Sequence, residues 1–185
     1  MVCVTYSPAY TVVPTYSCFN RCSYCNFRTD ANQSPLLTLD MVRQTLTTLE
    51  GKGVMEVLIL SGEVHPQSAQ RPYWFQRIFD ICRLALELGF LPHTNVGPLS
   101  YAELIQIKRV NVSMGLMLEQ MTPMLLQSVH RHSPSKVPEV RQQQLEWAGK
   151  LKIPFTTGLL LGLGESAQDR LDTLEAIAQS HNRWG

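Results

Sequence analysis

Short apolar runs alternate with segments of helical spacing along the whole of this 185-residue chain, and that alternation limits the fold more than any other feature. The apolar runs fall at residues 10–15, 55–61, 89–94, 110–115 and 153–160. They are nearly continuous, as strands buried on both faces should be. Between and after them, residues 39–49, 74–88, 101–108, 137–151 and 167–180 carry apolar positions three or four apart, the first of them behind Thr38 as a cap. Five βα units in series predict an α/β fold with parallel strands joined by right-handed crossovers. The pattern fits an open doubly wound sheet or part of a (β/α) barrel, and does not choose between them. One domain over 1–185 is expected, large enough to bury a core without disulfides. The last residues, Arg183, Trp184 and Gly185, follow a helix where the alternation calls for another strand, so the sequence reads as incomplete.

Charge excludes some partners. Lys and Arg are scattered, the net charge is +1, and no basic run offers a footprint for nucleic acid. The N-terminus lacks the layout of a signal peptide and no apolar run has membrane-spanning length, so a cytoplasmic protein with no membrane partner is expected. Three of the five cysteines crowd into residues 18–25, a usage that suits metal chemistry better than a disulfide framework.

Those three, Cys18, Cys22 and Cys25, have the spacing C-x₃-C-x₂-C and follow the first strand, at the carboxyl edge of the sheet where parallel α/β folds build their sites. Three thiolates suit a cubane iron–sulfur cluster whose fourth iron stays open to an outside ligand. A structural zinc would need a fourth ligand, and Cys3, His65 and Cys82 have no paired spacing with the triplet. Cys3 and Cys82 read as small apolar core residues. After the second strand, Ser61-Gly62-Glu63 joins a glycine that lets a ligand approach the backbone to a carboxylate that can accept from an ammonium group. Gly158, Gly162 and Gly164 precede Glu165, and this loop either cradles an adenine or simply turns the chain into the next helix. His130, Arg131 and His132 lie in a loop after the fourth strand, open to a solvated-turn reading or to substrate or cofactor binding. His93 and Asn95 end the third strand and reach the same edge.

The triplet, with Tyr24 in its aromatic place, resembles the cysteine loop of the radical S-adenosylmethionine (SAM) superfamily, and Ser61-Gly62-Glu63 is similar to its Gly-Gly-Glu motif. Residues 6–22, 92–95, 112–119, 130–132 and 145–149 further resemble the CofG subunits of deazaflavin (FO) synthases, over essentially all of the chain. That resemblance implies a partial (β/α) barrel of radical SAM type, with about five of the family's six βα units present and the C-terminal part absent. It implies a 4Fe-4S cluster on Cys18, Cys22 and Cys25, and SAM contacted by Tyr24, Gly62, Glu63, Ser113, Glu119 and Lys136. Glu63 would meet the SAM ammonium group, Ser113 and Glu119 the ribose, and Lys136 the carboxylate. His93, Asn95, His130, Arg131 and His132 are the candidates for the substrate. The implied reaction closes the deazaflavin ring of a small-molecule adduct that a companion subunit, CofH, makes from a tyrosine-derived hydroxybenzyl group and a ribitylamino-pyrimidine, releasing ammonia, methionine and 5′-deoxyadenosine. An electron donor is required but not identified, and no general base stands out. The rivals are a radical SAM enzyme for another substrate, and a non-catalytic metal-binding or assembly module made from a truncated barrel.

Overall fold

The computed structural model describes residues 3, 6–30 and 33–185. Its strands β1 (Ala9–Val12), β2 (Glu56–Leu60), β3 (Leu91–Asn95), β4 (Ser113–Gly115) and β5 (Phe155–Thr156) are all parallel and lie side by side in chain order. A doubly wound sheet needs a point where the strand order reverses. None occurs here, so the sheet is an arc of a (β/α) barrel, with β1 and β5 as its edges. The helices are α1 (Leu39–Thr47), α2 (Arg71–Glu87), α3 (Tyr101–Ile107), α4 (Pro138–Lys150) and α5 (Ala167–Trp184). Their starts have chemical causes. Thr38 accepts from the Met41 N–H at 3.2 Å, and Ser100 and Ser166 form reciprocal capping boxes with Glu103 and Asp169. Prolines open α2 and α4, where an N–H would have no partner.

The strand pleat sorts side chains between two faces. Val57 and Ile59 are fully buried toward the helices, in a core with Val42, Leu46, Trp74, Ile78, Ile81, Leu104 and Ile107. Each such side chain contributes roughly 1.5–3 kcal/mol of burial. Glu56, Leu58 and Leu60 face the opposite way and are only half-buried. The register sets Leu58 against His93, Leu60 against Asn95, and His93 against Ser113. His93, Asn95 and Ser113 therefore share the concave inner face.

Some expectations need correcting. The strands are not buried on both faces, because an unclosed arc leaves its inner face open and β1 exposes Ala9, Tyr10 and Thr11. β5 is two residues long rather than eight, since only Met114 and Gly115 of β4 offer it a partner. Among the described residues, the 3₁₀ segments Pro123–Gln127 and Pro134–Lys136 stand where a loop was expected, and a third, Lys108–Val110, takes the junction of the expected helix 101–108 and strand 110–115, so that β4 begins only at Ser113. Cys82 is buried as expected, but Cys3 is exposed, lying before the first strand and outside the core. No helix among the described residues is long and apolar enough to cross a membrane.

Candidate functional site

β1 delivers the chain to the carboxyl edge of the sheet, where the cysteine loop is hydrogen-bonded on both sides. Toward β2, the Phe19 N–H donates to the Glu63 carbonyl at 3.0 Å and the Gly62 N–H to the Thr15 carbonyl at 2.8 Å. Toward the segment after β4, the Arg21 N–H donates to the His132 carbonyl at 2.8 Å and the Ser23 N–H to the Val129 carbonyl at 3.0 Å. Buried Asn20 pairs with Ser135, donating to its hydroxyl at 2.8 Å and accepting from its N–H at 3.2 Å. Gly62 has a steric reason to be glycine: a Cβ there would overlap the Ser17 carbonyl, so strand end and loop meet backbone to backbone.

All five cysteines are free thiols, and the triplet is half-buried. The Ser133 hydroxyl donates to Cys22 Sγ at 3.0 Å, and Asn20 Nδ2 lies 3.9 Å from Cys18 Sγ. Donors of this kind beside a metal-ligating sulfur are typical of the polar surroundings that orient such ligands. Burial pushes the Cys18 thiol up, with hydrogen bonds at the Glu63 and Asn20 backbone opposing it, so metal binding here must release a proton. Among the described residues, no three His, Cys, Asp or Glu side chains converge as ligands of one ion. A structural zinc needs that convergence. A cubane spreads its thiolates over different irons, so the donor set fits a cluster with one iron left for an outside ligand.

A second cluster of side chains surrounds Glu119, which follows β4 with φ at 67°. Its carboxylate is ion-paired with Lys136, lies 3.2 Å from His130 Nε2 and 3.6 Å from the Arg141 guanidinium, and accepts from the Tyr24 hydroxyl at 3.2 Å. Burial alone would raise its pKa, but the His130 hydrogen bond and the Arg141 and Lys136 charges outweigh it and hold the carboxyl at about 2. The Tyr24 hydroxyl is pushed up, first by burial and then by the Glu119 charge. The expected His130, Arg131 and His132 trio is thus split: His130 is buried beside Glu119 while Arg131 and His132 point to solvent. Lys136 is already engaged by Glu119, and Ser113 finds its partner in His93, its hydroxyl 2.7 Å from Nδ1. Burial lowers the His93 pKa, which keeps the ring neutral at pH 7, and Asn95 is half-buried on the same face.

Arg141, from α4, approaches both carboxylates, 3.8 Å from Glu63 and 3.6 Å from Glu119, and donates to the Met117 carbonyl at 2.6 Å. Neither Arg141 nor Asn20 stands out in the sequence by motif. The one available signal is the buried stripe of α4, which carries Arg141 and Gln144 among Pro138, Leu145 and Ala148, where apolar residues are the rule. A cavity of about 560 Å³ brings Cys18 and Glu63 to one wall with Phe19, His65, Tyr73 and Trp74. Cys22, Cys25 and Glu119 lie outside it.

The glycine loop resolves toward a turn. Glu165 accepts from the N–H groups of Gly162 at 3.0 Å and Leu163 at 2.8 Å and from Arg170 Nε at 2.9 Å, so the donors a nucleotide would want are already used. Those backbone bonds, Gly162 first, hold its carboxyl at about 2. A depressed folded-state pKa gives stability that is present above the ordinary carboxylate pKa and is lost as pH falls toward 2. Glu165→Gln should therefore lower the melting temperature at pH 7, with the gap from wild type closing below about pH 4. A gap that is constant with pH in thermal scans would contradict this.

A model of the Radical SAM superfamily matches residues 12–177. Among known proteins, the chain is 65% identical over 180 residues to the 7,8-didemethyl-8-hydroxy-5-deazariboflavin synthase of Trichormus variabilis, covering 97% of this chain and 53% of that one. It is 56% identical over 185 residues to the synthase of the same name from Synechocystis sp., covering 100% and 59%. The chain thus spans about half the length of the curated relatives it matches. Among solved structures, the FeFe-hydrogenase maturase HydG of Carboxydothermus hydrogenoformans superposes with a TM-score of 0.81 at 20% identity, over 96% of this chain and 41% of that one. Methylornithine synthase (PylB) superposes at 0.76 and 18%, over 94% and 50%. At such identities these two speak for the fold alone.

Proposed function

Because this chain belongs to the radical SAM superfamily, we propose that Cys18, Cys22 and Cys25 hold a 4Fe-4S cluster with one iron open to SAM, and that the chain is the radical SAM part of a deazaflavin (FO) synthase. The observation that carries the reading is the three-thiol loop seated backbone to backbone on Gly62, with Glu63 the next residue. The names of relatives at 56–65% identity supply the reaction class. The chemistry that cluster and SAM supply when bound is one-electron cleavage of a sulfonium to a hydrogen-abstracting 5′-deoxyadenosyl radical.

The protein's own residues bind, orient and shield. Glu63, its carboxylate 3.8 Å from Arg141 and without a hydrogen-bond donor among the described residues, is placed to accept from the SAM ammonium group. Tyr24 and Glu119 brace the cysteine loop against the segment after β4. Ser113 and Glu119 serve the ribose, and Lys136 reaches the SAM carboxylate only by leaving Glu119. The open inner face, with neutral His93 and the Asn95 amide, suits the hydroxyl-rich adduct that CofH would supply. Arg131 and His132, pointing to solvent, are the weaker substrate candidates. Five free thiols suit a reducing cytoplasm. A non-catalytic metal-binding or assembly module is less favoured, since it has no use for a carboxylate left available beside three free thiols.

Anaerobic reconstitution followed by electron paramagnetic resonance with and without SAM tests the cluster and its open iron together. A reduced-cluster signal that SAM leaves unchanged would count against the assignment. Fluorescent deazaflavin formed with CofH and its substrates tests the reaction. Glu63→Gln should weaken SAM binding by roughly 1.5–3 kcal/mol, the scale of a charge-assisted hydrogen bond, while iron content holds. An equal SAM dissociation constant would reduce Ser61-Gly62-Glu63 to a turn.

A further inference from the structure

Arg71 is a buried cation with no part in the chemistry above, and its contacts converge on the two loops that flank Glu63. Its Nε and one terminal nitrogen meet the two oxygens of Glu103 at 2.8 Å each, a bidentate pair. The other terminal nitrogen donates to the Val64 carbonyl at 2.6 Å, and the first also donates to the Pro98 carbonyl at 2.9 Å. Val64 directly follows Glu63. Pro98 directly follows Gly97, a residue at φ 82° on which the Glu63 side chain lies so closely that a Cβ there would overlap Cγ and Cδ. One guanidinium thus fixes the width of the gap in which the Glu63 carboxylate sits.

The guanidinium is itself held. It stacks 4.5 Å from the centroid of Trp74, whose indole N–H donates to Ser61 at 3.0 Å, and Glu103 accepts from the Ser100 N–H at 2.7 Å in its capping box. Burial works against the Glu103 charge, but the hydrogen bonds from Arg71 and Ser100 overcome it. We propose that Arg71, oriented by Glu103, is a positioning residue that sets SAM affinity through the Glu63 carboxylate; this rests on the assignment of Glu63 to the SAM ammonium group. A Lys could not serve both a planar carboxylate fork and two carbonyls lying in different directions.

The test is SAM affinity of the cluster-reconstituted protein, measured by equilibrium binding for wild type, Arg71→Lys, Glu63→Gln and the double variant. Arg71→Lys should raise the SAM dissociation constant about tenfold with iron content unchanged, and should add almost nothing once Glu63 is Gln, as a residue acting through another must. A merely structural Arg71 would lower the melting temperature and leave SAM affinity alone, or weaken it by the same factor in both backgrounds; either result overturns the proposal. A Glu63→Gln protein that binds SAM like wild type would remove the underlying assignment, and the proposal with it. A normal Glu63→Gln loss with an additive Arg71→Lys loss removes the proposal alone. Should Arg71→Lys not fold, Glu103→Gln keeps the shape but drops the charge, and the same cycle should give a loss of about threefold that vanishes beside Glu63→Gln.

Discussion

Replacing any one of Cys18, Cys22 or Cys25 by Ala is expected to abolish iron loading and SAM cleavage together. Each thiolate would hold a different iron, so a missing one exposes that iron to water and the cluster is lost as a unit. The loop itself should survive, because its place is set by backbone bonds at Phe19, Arg21 and Ser23 and by the Asn20–Ser135 pair, none of which involves a thiol. Loss of cluster with retention of fold is therefore the signature. Cys3→Ala should be silent, as an exposed position, and Cys82→Ala should cost about 1 kcal/mol of stability for a small buried group without touching iron content. Iron and sulfide analysis, with chromatography for 5′-deoxyadenosine, decides it. Full loading and deoxyadenosine formation in Cys22→Ala would sink the cluster assignment.

Much of the fold can be read along the chain because burial and period are local properties. Val57 and Ile59, or Trp74, Ile78 and Ile81, announce strand and helix by spacing alone. What cannot be read is anything that depends on how far the sheet closes. Strand length is one case: β5 stops at Thr156 because β4 offers it two partners, a fact about register and not about residues 153–160. The inner face is another, since Leu58 and Leu60 look like core by composition but are only half-buried in an open arc.

The site divides in the same way. Its cysteines and Ser61-Gly62-Glu63 lie in contiguous motifs, each with a short-range reason for its residue types, and so they were legible. Arg141 was not, because its role comes from 78 and 22 positions away, at Glu63 and Glu119, and only α4 packing brings it there. His130 looked equal to His132 in a polar loop, yet one is buried against Glu119 and the other faces solvent. The positive φ at Glu119 also carries no sequence mark, since the residue that marks such a conformation is usually glycine.

Glu119 yields the largest expected change in stability. Its carboxylate is the shared partner of Lys136, His130 and Arg141 and accepts from Tyr24, and the side chains of His130 and Arg141 are only 3% and 2% exposed. Removing the anion takes from buried Arg141 and from Lys136 the carboxylate they share, a change that costs roughly 3–5 kcal/mol when one member of a buried pair is deleted. Glu119→Ala should therefore lower the urea midpoint strongly with little change in slope. Glu119→Gln, which keeps an acceptor for Tyr24 but not the charge, should fall between. Glu119→Gly separates charge from backbone: it loses the same anion but relieves a non-glycine residue held at φ 67°, so it should recover about 1 kcal/mol relative to Ala. If Ala and Gly were equal, the backbone at this position is unstrained. If all three variants stayed within about 1 kcal/mol of wild type, the desolvation of these charges already cancels their attraction, and the network's value lies in aligning Tyr24 and the cysteine loop rather than in stability.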